Sequence, residues 1–129
     1  MALTLRWRAA TPHTVDAGEL APERLASLTA LEIARIRLGV GNTEVDLGDL
    51  FHVEGAAEDG HLVLEGDLSR VDRVGQGMTS GTLTIRGDVG AELGAEMAGG
   101  QIEVEGRAGD WAGAAMRGGF LRIRGGTGH

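Results

Sequence analysis

Gly81-Thr82-Leu83-Thr84-Ile85-Arg86-Gly87, continued by Asp88-Val89-Gly90-Ala91-Glu92-Leu93-Gly94 and Ala95-Glu96-Met97-Ala98-Gly99, is the unit from which the architecture of this chain follows. Nineteen residues after Gly81 the pattern restarts as Gly100-Gln101-Ile102-Glu103-Val104-Glu105-Gly106, then runs through Gly109 and Gly113 to Met116 and Gly118. Gly119 opens a further copy, and Gly60 opens an earlier one that is two residues longer. A degraded copy, Leu50-Phe51-His52-Val53-Glu54-Gly55, comes before that. Self-similarity at a fixed period of this length marks a chain built of stacked units.

Each copy holds one short alternating segment, and a period of two belongs to a half-buried strand. The inward pairs are Leu62 and Leu64, Leu83 and Ile85, Ile102 and Val104, and Leu121 and Ile123. A strand, a turn and a second short segment cannot bury a face alone, whereas stacked copies about 4.8 Å apart share one apolar interior. The expected fold is therefore all-β, a right-handed parallel β-helix of glycine-rich repeats with a small N-terminal cap. Gly87, Gly106 and Gly125 would stack at one corner and Gly94 and Gly113 at another, where positive φ or lack of room excludes a side chain. Val74, Leu93 and Ala112 would fill a second wall and Met78, Met97 and Met116 a third. The Met column reads as adaptable core filler rather than a soft-metal site.

Parallel register also stacks Glu65, Arg86, Glu105 and Arg124 on the outer face with alternating sign. One defect is expected, because Glu54 would fall directly beside Glu65. The first residues differ from the rest: Leu3, Leu5 and Trp7 alternate with polar residues, without the apolar run of a signal peptide. Thr29-Ala30-Leu31-Glu32 fits a capping box and starts a short helix over 30–35. The segments 36–38 and 45–47 flank a Gly41-Asn42 turn and read as a hairpin or first coil. The division is residues 1–46 as N-terminal arm and cap, and 47–129 as the glycine-rich β-helix. The copy opened at Gly119 stops at His129, its eleventh residue, so the chain is expected to continue into further coils or to be covered there by another chain.

Composition narrows the function. Nineteen acidic and twelve basic side chains give a net charge of −7, which disfavours nucleic acid and anionic membranes as partners. There is no Cys, hence no disulfide framework, thiolate metal site or cysteine nucleophile. No Gly-Lys-Ser/Thr occurs and the chain has no Lys, so the glycines do not form a phosphate loop. A dinucleotide fold lacks its strand-then-long-helix context, and calcium nonapeptides lack their period. His13, His52, His61 and His129 show no metal-ligand spacing, with His52 and His61 placed on a diagonal roughly 8 Å apart. Asp88 and Asp110 fall at turns, where Asp commonly bonds nearby backbone amides. Trp111 also falls at a turn, as either a lid over the coil edge or an interface anchor. Nothing passes as a catalytic, cofactor-binding or metal-binding residue.

The run Gly66-Asp67-Leu68-Ser69-Arg70-Val71, with Gly77-Met78, Gly87-Asp88-Val89-Gly90, the segment 94–100 and Asp110-Trp111-Ala112-Gly113, resembles the C-subunit of formylmethanofuran dehydrogenase. Gly41-Asn42 and Leu47-Gly48-Asp49-Leu50-Phe51 fit it too, and the resemblance covers residues 36–129 well. The family includes the methanogen dehydrogenase, which uses a tungsten or molybdenum pterin. It also includes the bacterial formyltransferase/hydrolase complex, which converts formyl-tetrahydromethanopterin to formate through a methanofuran analogue. The arginine-rich, lysine-free composition favours the bacterial relative. The N-terminal stretch without a signal-peptide run reads as that of a cytoplasmic protein, and the resemblance implies a structural subunit without catalytic residues. Methanofuran or its analogue, tetrahydromethanopterin and metals would belong to partner subunits: an amidohydrolase-like chain, a formyltransferase and a molybdopterin-type chain. The alternative is the glycine-repeat C-terminal domain of glutamate synthase, also structural; Met1 and a separate cap argue for a separate subunit.

Overall fold

Strands in this chain form where apolar residues alternate; of its short helices, one starts at Pro22 and another at the Thr29 capping box. The structure is a computed structural model, and it describes residues 3–9, 13–57 and 59–126. In chain order the elements are β1 (Leu3–Trp7), β2 (Val15–Asp16), α1 (Pro22–Leu25), α2 (Ala30–Ala34), β3 (Arg37–Val40), β4 (Thr43–Asp46), α3 (Leu47–Leu50), β5 (Phe51–Glu54), β6 (His61–Glu65), β7 (Val71–Asp72), β8 (Thr82–Arg86), β9 (Gln101–Val104) and β10 (Phe120–Ile123). One sheet has the order β10-β9-β8-β6-β1-β5 and the other β4-β3-β2-β7.

This arrangement corrects the expectation of an all-β, right-handed parallel β-helix. Both sheets mix parallel and antiparallel pairs: β1 runs antiparallel to β5 but parallel to β6, and β2 antiparallel to β3 but parallel to β7. Three short helices interleave with the strands. The reason is that self-similarity reports only on segments that resemble each other. The N-terminal strands carry no glycine pattern, yet they supply β1 to the first sheet and β2, β3 and β4 to the second. Residues on both sides of position 46 consequently share both sheets and one core.

The degraded copy at 50–55 is likewise not the neighbour of the one opened at Gly60. β1 lies between them, with Arg6 opposite His52 on one side and Glu65 on the other. From β6 onward the register is the parallel one read from the sequence: Leu62 with Leu83, Leu83 with Ile102 and Ile102 with Leu121. The capping box at Thr29 is present, its hydroxyl accepting from the Glu32 amide while the Glu32 carboxylate accepts from the Thr29 amide. β3 and β4 form the hairpin around Gly41-Asn42, with Val40 opposite Thr43.

One apolar core runs through these layers. Leu3, Leu5, Leu62, Leu64, Leu83, Ile85, Ile102 and Val104 line it from the first sheet and are buried, as are Val74, Leu93, Met78 and Met97. At the β10 end burial declines, and Ala112, Met116, Leu121 and Ile123 are only partly covered. The corner glycines meet two demands. Gly94 and Gly113 have φ of +66° and +73°, a region that costs other residues strain. Gly106 is held instead by proximity, since a Cβ there would lie 2.6 Å from the Gly87 carbonyl carbon.

Candidate functional surface

The outer face of the six-stranded sheet carries a continuous column of ion pairs, and Arg6 resolves the expected defect in it. Because β1 inserts between β5 and β6, the Arg6 guanidinium sits between Glu54 at 3.6 Å and Glu65 at 2.9 Å. Its hydrogen bond to Glu65 and the fields of Glu54 and Glu65 raise its pKa above the ordinary arginine value. Glu65 also takes Arg86 at 3.3 Å, and Arg86 lies 3.9 Å from Glu105. Arg124 departs from the expected ladder and pairs with Glu103 at 2.9 Å. Exposed pairs of this kind are worth under about 1 kcal/mol each, so the column sets register more than stability.

A second alternating column climbs the opposite sheet. Arg73 bridges Asp16 at 3.3 Å and Glu92 at 2.9 Å. Arg73, Glu92 and Trp111, spaced at the nineteen-residue step, all adopt positive φ, at 66°, 59° and 66°. Trp111 is 67% exposed, so it does not lie as a lid over its own layer. Asp88 does bond a backbone amide, as its turn position suggested, but the amide belongs to Arg107 in the next layer, at 2.8 Å. Asp72 clips Ala91 in the same way at 2.8 Å. These interlayer clips escaped the sequence reading because a short-range turn bond and a bond nineteen residues away need the same residue type.

The histidines are dispersed. His52 projects from β5 with its Nε2 4.0 Å from Glu54, and His61 Nε2 lies 3.1 Å from the Thr84 hydroxyl. His13 packs its ring near Gly41. His129 lies outside the described residues, and Asp110 has partners of its own. Among the described residues no group of three or more His, Cys, Asp or Glu is placed to hold a metal. Nor, among them, is any helix long and apolar enough to cross a membrane. An open groove of about 360 Å³ runs over β8, β9 and β10, lined by Thr82, Thr84, Gln101, Glu103, Phe120 and Arg122. Phe120, 60% exposed, forms its apolar wall. Among the described residues the outward features are thus ion-pair ladders and interlayer clips.

Two layered sheets carrying columns of ion pairs define a layered, mixed-sheet class of chain, and comparison with known proteins gives that class a family. The chain belongs to the C-subunit family of the formylmethanofuran dehydrogenases and of the related formyltransferase/hydrolase complex. It is 38% identical over 90 residues to the Fhc C-subunit of the formyltransferase/hydrolase complex of Methylorubrum extorquens, covering 70% of this chain and 34% of that protein. It is 43% identical over 85 residues to the C-subunit of tungsten-containing formylmethanofuran dehydrogenase 2 of Methanothermobacter wolfeii, covering 63% of this chain and 32% of that one. In structure it matches a chain of the crystal structure of the formyltransferase/hydrolase complex FhcABCD from Methylorubrum extorquens in complex with methylofuran. That match has a TM-score of 0.90 and 38% identity, over 97% of this chain and 47% of the other. The chain therefore spans about a third of the length of the curated relatives it matches. No protein-family model matches it.

Proposed function

We propose that this chain acts as a structural, non-catalytic C-subunit in a hetero-oligomeric complex of the formyltransferase/hydrolase type, in the cytoplasm. In this reading the complex converts formyl-tetrahydromethanopterin to formate through a methanofuran analogue, and the pterin, furan and metal sites belong to partner subunits. The observation that carries the proposal is the match of 97% of the chain, at TM-score 0.90 and 38% identity, to a chain of the FhcABCD complex. The surface supports it: the acidic and histidine side chains singled out from the sequence serve interlayer bonds and ion pairs, or stand apart from one another. The similarity to dehydrogenase subunits makes a pterin-metal complex the second reading. The lysine-free composition favours the bacterial relative.

Affinity purification of the tagged chain from its native host tests this. The expected result is co-elution with a formyltransferase subunit and an amidohydrolase-like subunit, together with formyl transfer by the assembly and none by the separated chain. Co-elution with a molybdopterin-type subunit moves the assignment to the dehydrogenase. Capture of a glutaminase-containing chain, or turnover of a formylated pterin by the separated chain, overturns it.

A further inference from the structure

Asp59-Gly60 is the one place in this sequence where an aspartate or asparagine precedes a glycine. Every other Asp is followed by a residue with a Cβ, from Ala17 to Trp111, and the single Asn, Asn42, is followed by Thr43. A Cβ on the following residue crowds attack on the side-chain carboxyl by that residue's own amide nitrogen, and glycine removes the crowding. In the fold both reacting groups are occupied. The Gly60 amide donates to the Ala57 carbonyl at 2.8 Å, and Asp59 Oδ1 accepts from the His61 amide at 3.0 Å. Gly60 also heads a stacked column: Gly60, Gly81, Gly100 and Gly119 all have positive φ, at 75°, 86°, 82° and 83°. The Gly60 carbonyl accepts from the Thr82 amide at 2.8 Å, that of Gly81 from Gln101 at 2.9 Å, and that of Gly100 from Phe120 at 3.0 Å. A Cβ on Gly81 would lie 2.6 Å from the Gly60 oxygen, so the corner has little slack.

We propose that Asp59-Gly60 is a latent isomerisation site, silent while this corner is closed and converted to isoaspartate when it opens. In the open corner the Gly60 nitrogen loses its proton and bonds to Asp59 Cγ, while the carboxyl hydroxyl leaves with a proton as water, giving a cyclic imide. Water then adds at the imide carbonyl that was the Asp59 backbone carbonyl, and the bond from that carbon to the Gly60 nitrogen breaks. The main chain now runs through Cβ and Cγ, longer by a carbon, and the former backbone carbonyl is a free carboxylate. A water lost and a water gained close the balance, with no oxidant or reductant. In the closed fold Ala57 holds the amide proton and His61 holds the carboxylate, so the rate follows how often the corner opens. The lengthened chain moves the Gly60 carbonyl off the Thr82 amide, and the corner no longer closes as before. Damage at its first member thereby loosens the column. The inference is independent of which complex the chain serves.

Incubating the full chain at neutral pH in heavy-oxygen water, with and without urea, tests the proposal. Passage through the imide leaves heavy oxygen at Asp59, located by mass spectrometry of its peptide, and isoaspartate is counted by enzymatic methylation of the new carboxylate. The expected result is label and isoaspartate confined to Asp59 and accumulating several-fold faster in urea than in the native chain. Gly81→Ala crowds the Gly60 oxygen without touching the reacting residues, and should raise the native rate toward the urea rate. Gly60→Ala should lower the rate in urea. Equal rates with and without urea, label spread over several aspartates, or no label in either condition overturns the proposal. So does a folded Gly81→Ala variant that isomerises no faster than the parent; if that variant does not fold, the comparison with and without urea decides by itself. In the isomerised fraction the Thr82 amide should lose protection from hydrogen exchange, and retained protection would refute the loosening of the column.

Discussion

Arg6 shows how much a single side chain depends on its strand's neighbours. Between two carboxylates it converts a like-charge contact, expected from the order of copies in the sequence, into a continuous alternating column. Reversing it by Arg6→Glu should set three carboxylates in a row and lower the urea midpoint more than Arg124→Glu, whose side chain pairs outside the column with Glu103. Adding Glu54→Arg to the first variant should recover part of the loss, and equal midpoints for the two single variants would count against the column. Asp67 offers a second test. A hydrogen bond from the Ser69 side chain, then one from the Ser69 backbone amide, lowers its pKa below the ordinary 3.8. A carboxyl whose pKa is depressed by folding contributes stability that is present above the unfolded value and is lost as pH falls through the folded one. Wild-type stability should therefore carry an acid-side loss below about pH 4 that Asp67→Asn lacks. Urea titrations of both forms across that range would measure it.

At the scale of elements, close stacking is what the glycines permit. Gly106 lies against the layer below, and a Cβ there would come 2.6 Å from the Gly87 carbonyl carbon, a backbone atom with nowhere to go. Gly106→Ala should cost more than about 2 kcal/mol by forcing two layers apart. Gly126→Ala meets nothing within 4 Å, and bears only the strain of φ +93°. Thermal melts of the two variants should separate steric from conformational demand; equal losses would mean that the layers yield at Gly106. The same closeness explains the aspartate clips. With layers this near, the carboxylates of Asp72 and Asp88 reach amides of the next layer at 2.8 Å.

Across the described residues of the molecule, burial on the inner face of the six-stranded sheet declines toward β10. Leu5 is fully buried, with β5 on one side and β6 on the other, whereas Leu121, on the inner face of the edge strand, is only partly buried. Leu5→Ala should cost about 2–4 kcal/mol, and Leu121→Ala about 1 kcal/mol, the difference measuring what another layer would cover. Comparable losses would mean that the β10 end is as well packed as the β1 end. The inward residues of β6, β8, β9 and β10, their parallel register, the capped helix at Thr29, the Gly41-Asn42 hairpin and the family resemblance were all legible in the residues alone. Each of these is encoded locally or by similarity between successive segments. Folding in three dimensions was needed to place β1 between β5 and β6, to join β3 to β7 through β2, and so to make both sheets mixed. The alternation of Leu3, Leu5 and Trp7 specifies which face is buried but not which strand lies alongside. Several neighbours satisfy the same period of two, and the choice among them is made by contacts between residues more than forty positions apart, such as Leu5 with Val53 and Leu64.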